Sequence, residues 1–322
     1  MLPGSLLFQE SSCLELEIRG SLSSILKDRS EDPPYRSVEL RCLLGADSAQ
    51  MLQAGLKTRG HFRKTYCAFP PLRLRVDAAS SAGTPFEGQG KLKLVTHCNS
   101  RKPELEENLI EEYLLYRAYN LITDSSFRVR LAHVRYVDTG KKADSIYRYA
   151  FLIEPEEAMA ARLGGKLLEV SQVRMHQTDS LLSTLMSLFE FMAGNTDWSV
   201  PGLHNVVLVR TDYARPPLSI PYDLDWSGAV MAPYAVPAPQ LGLNSVRERL
   251  FRGFCVEDAL LEAAIRRFQQ RKEAIYSLYR ETGLLSPEKA QETLGYFDEF
   301  YEIINDPAKV KRHIGLECRP ER

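Results

Sequence analysis

Two short segments of the 322-residue chain concentrate side chains able to do chemistry. The first runs Gly194-Asn195-Thr196-Asp197-Trp198-Ser199-Val200-Pro201-Gly202-Leu203-His204-Asn205, and the second Pro221-Tyr222-Asp223-Leu224-Asp225-Trp226-Ser227-Gly228. The pattern is an aspartate on a glycine-led turn, an asparagine eight positions on, and two further carboxylates after a short apolar run, Val206-Val207-Leu208-Val209. Phosphoryl transfer needs such a set. One carboxylate positions or deprotonates the acceptor, while an asparagine oxygen and a second carboxylate hold magnesium on the nucleotide phosphates. Magnesium takes hard oxygen ligands, few of them from protein. On an extended chain Asp223 and Asp225 project to one side and can share a metal. Each residue alone is an ordinary turn former, because Asp and Asn side chains cap backbone groups; the ordered set is what points to chemistry.

Such a set needs elements to carry it. An apolar helix over about 179–193, with Leu182, Leu185, Met186, Phe189 and Met192, leads directly into Gly194 and reads as buried. Upstream the chain reads as β. Leu14, Leu16 and Ile18, then Val38, Leu40 and Cys42, then Leu72, Leu74 and Val76 alternate with charged or polar residues, the period of half-buried strands. A small-residue loop over 78–90 precedes a strand over 91–96, a helix over about 104–122, and two strands over 127–137 and 147–154 joined by a polar turn around Gly140-Lys141-Lys142. Beyond Pro239 the sequence reads as helical to the end, with Ser286-Pro287-Glu288 as an N-cap, a first-turn proline and a first-turn acid.

With these residues in view, Gly194-Asn195-Thr196-Asp197 with His204-Asn205 resembles the catalytic loop of atypical kinases of the spore-coat CotH-like group and, more distantly, the HipA-like group. Pro221–Gly228 resembles their metal-binding segment, and Arg59-Gly60 an early segment of the CotH-like members. The resemblance spans roughly residues 55–255. It implies an α+β protein in which a β-rich N-terminal part (1–77) leads into a two-lobed protein-kinase-like core, with an N-lobe over 78–155 and a helical C-lobe over 156–322. It also implies use of ATP and Mg2+ to phosphorylate a protein acceptor. Asp197 would be the catalytic carboxylate, and Asn205, Asp223 and Asp225 the metal ligands. Lys93, oriented by Glu112 or Glu111, would meet the nucleotide phosphates, and Glu154 would lie in the hinge that binds adenine. Val200-Pro201-Gly202 lengthens the gap between Asp197 and Asn205 relative to that family, which leaves the reach of Asn205 open. AMP transfer by the same acids and an inactive binding module are the alternatives.

Composition narrows the rest. Lys+Arg 41 against Asp+Glu 42 gives a net charge of −1, so nucleic acid is not an expected partner. No apolar run reaches the ~18 residues of a membrane helix, and the start Met1–Glu10 lacks the basic and apolar regions of a signal peptide. The six cysteines have no CxxC spacing, so zinc is not expected; buried free thiols are the plain reading, and one or two disulfides the reading for an exported chain. Tyr113, Tyr116 and Tyr119 fall at helical spacing and read as core, Trp198 and Trp226 as packing beneath the acidic motifs, and Arg59, Arg63 and Lys64 as a solvated basic turn or a phosphate contact.

Overall fold

The protein is described by a computed structural model covering residues 6–43, 48–140, 144–170 and 172–320. Met1–Ser5 and the Lys141-Lys142 part of the expected turn lie outside the described residues. Two compact units are present: residues 1–109 with 128–158, and residues 110–127 with 159–322.

In the first unit, short helices α1 (Leu6–Gln9), α2 (Leu22–Lys27) and α3 (Phe62–Tyr66) accompany seven strands. The strands are β1 (Leu14–Gly20), β2 (Arg36–Leu43), β3 (Ala49–Thr58), β4 (Leu72–Val76), β5 (Lys91–Val95), β6 (Val129–Asp138) and β7 (Asp144–Ile153). They close in the order β1-β2-β3-β4-β5-β7-β6. Every pairing is antiparallel except the closing one, in which β1 runs parallel to β6 with Leu16 opposite Val134. Alternation sends one face of each strand inward: Leu16, Ile18, Leu40, Leu52, Leu56, Leu72, Leu74, Leu92, Val134 and Leu152 form one apolar core. Burying each such side chain contributes about 1.5–3 kcal/mol, and a barrel of this size is filled by its own side chains.

This architecture corrects the expected one. The β-rich N-terminal part and the strands expected to form a kinase-like N-lobe are a single closed barrel followed by a helical C-terminal region, so the two-lobed kinase-like core is not what the chain builds. Two features hid the barrel. Strand β3 reads Ala-Gln-Met-Leu-Gln-Ala-Gly-Leu-Lys-Thr, too poor in β-branched and aromatic residues to be seen. The β1–β6 closure joins segments more than a hundred residues apart, which no local periodicity encodes.

The second unit contains residues 110–122 of α4 (Glu104–Ile122) and then α5 (Glu156–Arg162) from Met159. A small sheet of β8 (Lys166–Leu167), β9 (Val206–Arg210) and β10 (Leu218–Pro221) has the order β10-β9-β8. Helices α6 (Ser180–Ala193), α7 (Asp258–Glu281), α8 (Pro287–Ile304) and α9 (Pro307–Val310) complete it. Helix α6 is buried almost throughout, as its apolar content requires. It starts on Asp179, whose carboxylate accepts the Leu182 N–H, and ends on Gly194 in the left-handed region. Helix α8 begins at Ser286, which caps Lys289 N–H, with Pro287 in the first turn. Between the 3-10 turn at Pro239–Leu241 and α7 the chain is irregular rather than helical; its arginines are occupied with main-chain carbonyls.

The cysteines resolve into two disulfides, Cys67–Cys98 in the first unit and Cys255–Cys318 in the second, with Cys42 buried and free and Cys13 exposed and free. The reading of buried free thiols therefore holds for Cys42 alone, Cys13 being free but exposed. Among the described residues no helix is long and apolar enough to cross a membrane.

Candidate functional site

The two acidic motifs meet where α6 ends. Gly194 takes φ +67°, and a Cβ there would come within 2.0 Å of Tyr296 Oη. Gly228 faces the same hydroxyl, at 2.5 Å from its own notional Cβ. The backbones bond directly: Gly228 N–H donates to Gly194 O (3.1 Å) and Ala229 N–H to Ala193 O (2.9 Å). Both motif glycines are thus required by close approach around one tyrosine.

The turn carrying Asp197 is built from Asn195. Its Oδ1 accepts the Asp197 N–H (3.0 Å) and its carbonyl accepts Trp198 Nε1 (3.2 Å). Arg252 donates to the carbonyls of Thr196 and Trp198, and Arg249 to those of Phe191 and Met192 at the end of α6. Cationic side chains on the last carbonyls of a helix stabilise its C-terminus. Trp198 is buried with Met186, Val200, Val206 and Leu208, as packing beneath the motif.

The long gap between Asp197 and Asn205 closes as a tight loop. Ser199 and His204 exchange both backbone hydrogen bonds (2.9 and 3.0 Å), and Leu203 N–H returns to Val200 O (3.1 Å). Leu203 and Asn205 adopt φ +47° and +53°. The added residues are therefore looped out, and Asn205 comes back to Asp197: its amide nitrogen donates to the Asp197 carbonyl (2.7 Å) and to Oδ2 (3.0 Å). His204 Nε2 meets the other carboxylate oxygen at 2.9 Å. With both amide N–H groups committed, Asn205 Oδ1 is left without a hydrogen bond among the described residues.

Strands β9 and β10 bring the second motif alongside. Tyr222 N–H donates to Asn205 O (3.0 Å), immediately after the Pro221–Val206 pair. Asp223 then takes φ +62°, and its N–H donates to Tyr116 Oη (2.8 Å) in α4. That left-handed residue ends the extended geometry which was to put Asp223 and Asp225 on one side. Asp223 is half-buried with no hydrogen bond to its carboxylate among the described residues, whereas Asp225 is buried and accepts from Tyr234 Oη (2.6 Å).

The remaining predicted residues sit elsewhere. In the first unit, Lys93 pairs with Glu156 Oε1 at 2.6 Å, and Glu154 accepts the Arg128 N–H (3.0 Å) at the end of β7. In the second, Glu112 is buried on α4, and neighbouring Glu111 accepts from Thr293 Oγ1 (2.6 Å). Arg63 and Lys64 are structural, donating to the carbonyls of Thr96, Ser30 and Glu31. A cavity of about 660 Å³ on the first unit, lined by Leu22, Phe69, Tyr136 and Asp138 among others, contains none of the predicted site residues.

A buried carboxyl that the motifs did not announce lies on the last turn of α6. Burial raises Glu190 to about 8; the Asn195 amide and Arg252 oppose this and the Asp197 charge adds to it. The Asn195 amide makes no hydrogen bond of normal geometry with it. Glu190, Tyr116, Arg252 and His204 all belong to the site's surroundings. His204 carried a sequence signal in its adjacency to Asn205, and Tyr116 one only as a core position at helical spacing; Glu190 and Arg252 carried none.

Magnesium fits the donor set. Asn205 Oδ1 and the Asp223 carboxylate are hard oxygens with no hydrogen bond among the described residues, and Mg2+ on a nucleotide needs only one or two protein oxygens. No group of three or more His, Cys, Asp or Glu among the described residues could hold an ion by itself. Comparison with known proteins gives no matching family model and no matching curated relative.

Proposed function

We propose that the chain transfers a phosphoryl group from ATP to a protein acceptor at the acidic site of its second unit, with Mg2+ on the nucleotide. The observation that carries this reading is the Asn205 side chain. Both its amide protons are spent on Asp197, which leaves its side-chain oxygen as an acceptor on the residue whose carbonyl takes the Tyr222 N–H, next to Asp223. Asp197 is left 37% exposed, with each oxygen oriented by one neighbour and lone pairs to spare. It accepts the acceptor hydroxyl's hydrogen bond and receives its proton as the oxygen attacks. Asn205 Oδ1 and Asp223 would hold the ion, with Asp225, buried and bonded to Tyr234, as the further carboxylate of the segment; the ion would offset charge on the phosphates. The resemblance of both motifs to those of CotH-like kinases supports the chemistry and is independent of the barrel.

The test is thermal unfolding with and without Mg-ATP, together with mass analysis of the chain and of casein as acceptors. At about 100 times its dissociation constant the nucleotide stabilises the folded state by roughly 2.7 kcal/mol. Asp223→Asn is expected to lose that shift and to cut turnover about a hundredfold or more. A product heavier by AMP instead of phosphate reassigns the transferred group. No Mg-ATP shift in the wild type, or an unchanged shift in Asp223→Asn, overturns the reading.

A further inference from the structure

Behind the Asp197 turn, five polar atoms of the second unit sit in the interior without a hydrogen bond of normal geometry among the described residues. They are both carboxyl oxygens of Glu190, the Asn195 amide nitrogen, Arg252 Nε and Tyr119 Oη. Glu190 and Asn195 are each 1% exposed and Tyr119 2%. These groups feel one another: Arg252, Asn195 and Asp197 act on Glu190, and Glu190 acts on Tyr119. Native interiors leave few polar atoms unpaired, and such a group is a place where a second arrangement is available.

Asn195 and Arg252 are also what hold the turn, through the Asp197 N–H and through the carbonyls on either side of it. Each has one group on the turn and one interior donor, beside Glu190, that makes no hydrogen bond of normal geometry among the described residues. A partnerless carboxylate in such a place is costly, whereas a neutral carboxylic acid costs far less. We propose that Glu190 is a positioning residue for the Asp197 turn that works as the neutral acid, its ionisation releasing the turn by drawing Asn195 and Arg252 onto itself. Ionised, it is a strong acceptor in that interior, and two of the unpaired donors there belong to the residues that brace Asp197. Rotating either one toward it removes a brace. Its ordinary range is shifted up to about 8 by burial, so the change falls at mildly alkaline pH. The groups facing it are Tyr119 from α4, Asn195 and Asp197 from the turn, and Arg252 from the segment before α7. The consequence for turnover rests on the phosphotransfer reading; the consequence for the turn does not.

The turn carries its own reporter, Trp198. In a Trp226→Phe background, tryptophan emission is followed from pH 6 to 10 without ligand, alongside the pH profile of phosphoryl transfer. Expected are an emission transition near pH 8 and a parallel fall in kcat, both absent in Glu190→Gln, which keeps the shape of the neutral acid. Infrared spectroscopy of the wild type supplies a check that needs no variant: a protonated-carboxyl band present at pH 6 and lost by pH 10. An identical emission transition in Glu190→Gln, or no such band at pH 6, overturns the assignment. The emission transition, abolished in Glu190→Gln but without turnover at any pH, overturns the phosphotransfer reading and upholds Glu190 as the positioning residue of the turn.

Discussion

The barrel of the first unit and the end of α6 in the second solve opposite problems. In the barrel, period-two strands put apolar residues inside and polar ones outside, and the ladder consumes the backbone groups. Around Asp197 and Asp223 the chain adopts left-handed backbone at Leu203, Asn205 and Asp223, none of them glycine. It also buries a carboxyl without a partner and spends arginines on carbonyls. Strain of this kind costs of order 1–3 kcal/mol per residue and persists only where the surroundings over-determine it. The contrast teaches that the second region is built to fix functional groups, at some expense in stability, and the first to be stable.

The largest effect that would sharpen this contrast is the dependence of stability on pH. Glu190 keeps its proton to about pH 8 when folded, against an ordinary value of 4.5. Between those values the folded chain binds more protons than the unfolded one, so stability falls as pH rises through that window and the loss is complete above it. By linkage the total is on the order of 5 kcal/mol, most of it lost between pH 5 and pH 8. Denaturant titrations at pH 5 and pH 8 are expected to show this drop in the wild type and little of it in Glu190→Gln. In the barrel, Leu40→Ala removes a fully buried side chain and is expected to cost about 3 kcal/mol through the cavity it leaves; a loss below about 1 kcal/mol would mean a loosely packed barrel.

Gly194→Ala is expected to cost about 3 kcal/mol, combining the left-handed backbone with the clash against Tyr296. Tyr296→Phe in the same chain should recover part of that loss, because the hydroxyl is the atom struck. The smallest effect is the most telling. Asp223→Gly relieves a positive φ and is expected to raise stability by about 1 kcal/mol while abolishing the Mg-ATP response. A destabilised Asp223→Gly would break the comparison, since Asp223 would then be a structural residue.

How much of this was legible depends on distance along the chain. Helix α6, the Ser286 cap of α8 and strands β1, β2, β4 and β5 could be read directly, because apolar period and capping chemistry are local properties. The two acidic motifs were legible as a set for the same reason. Strand β3 was not, since its composition is ambiguous, and neither was the parallel β1–β6 closure that turns a sheet into a barrel. The Asp223/Asp225 pairing was misread because a single left-handed residue cancels alternation, and φ at an aspartate is set by its surroundings, here the Tyr116 hydroxyl on its N–H. Residue order alone fixes which positions are apolar, which can cap, and which acids cluster along the chain, because those are properties of residues and their neighbours. Tertiary structure alone decided that Asn205 folds back onto Asp197, that Gly194 and Gly228 share one tyrosine, and that Glu190 lies sealed behind the turn. Each of these depends on contacts between segments far apart in sequence, where packing space, dielectric and hydrogen-bond partners are set by the whole unit.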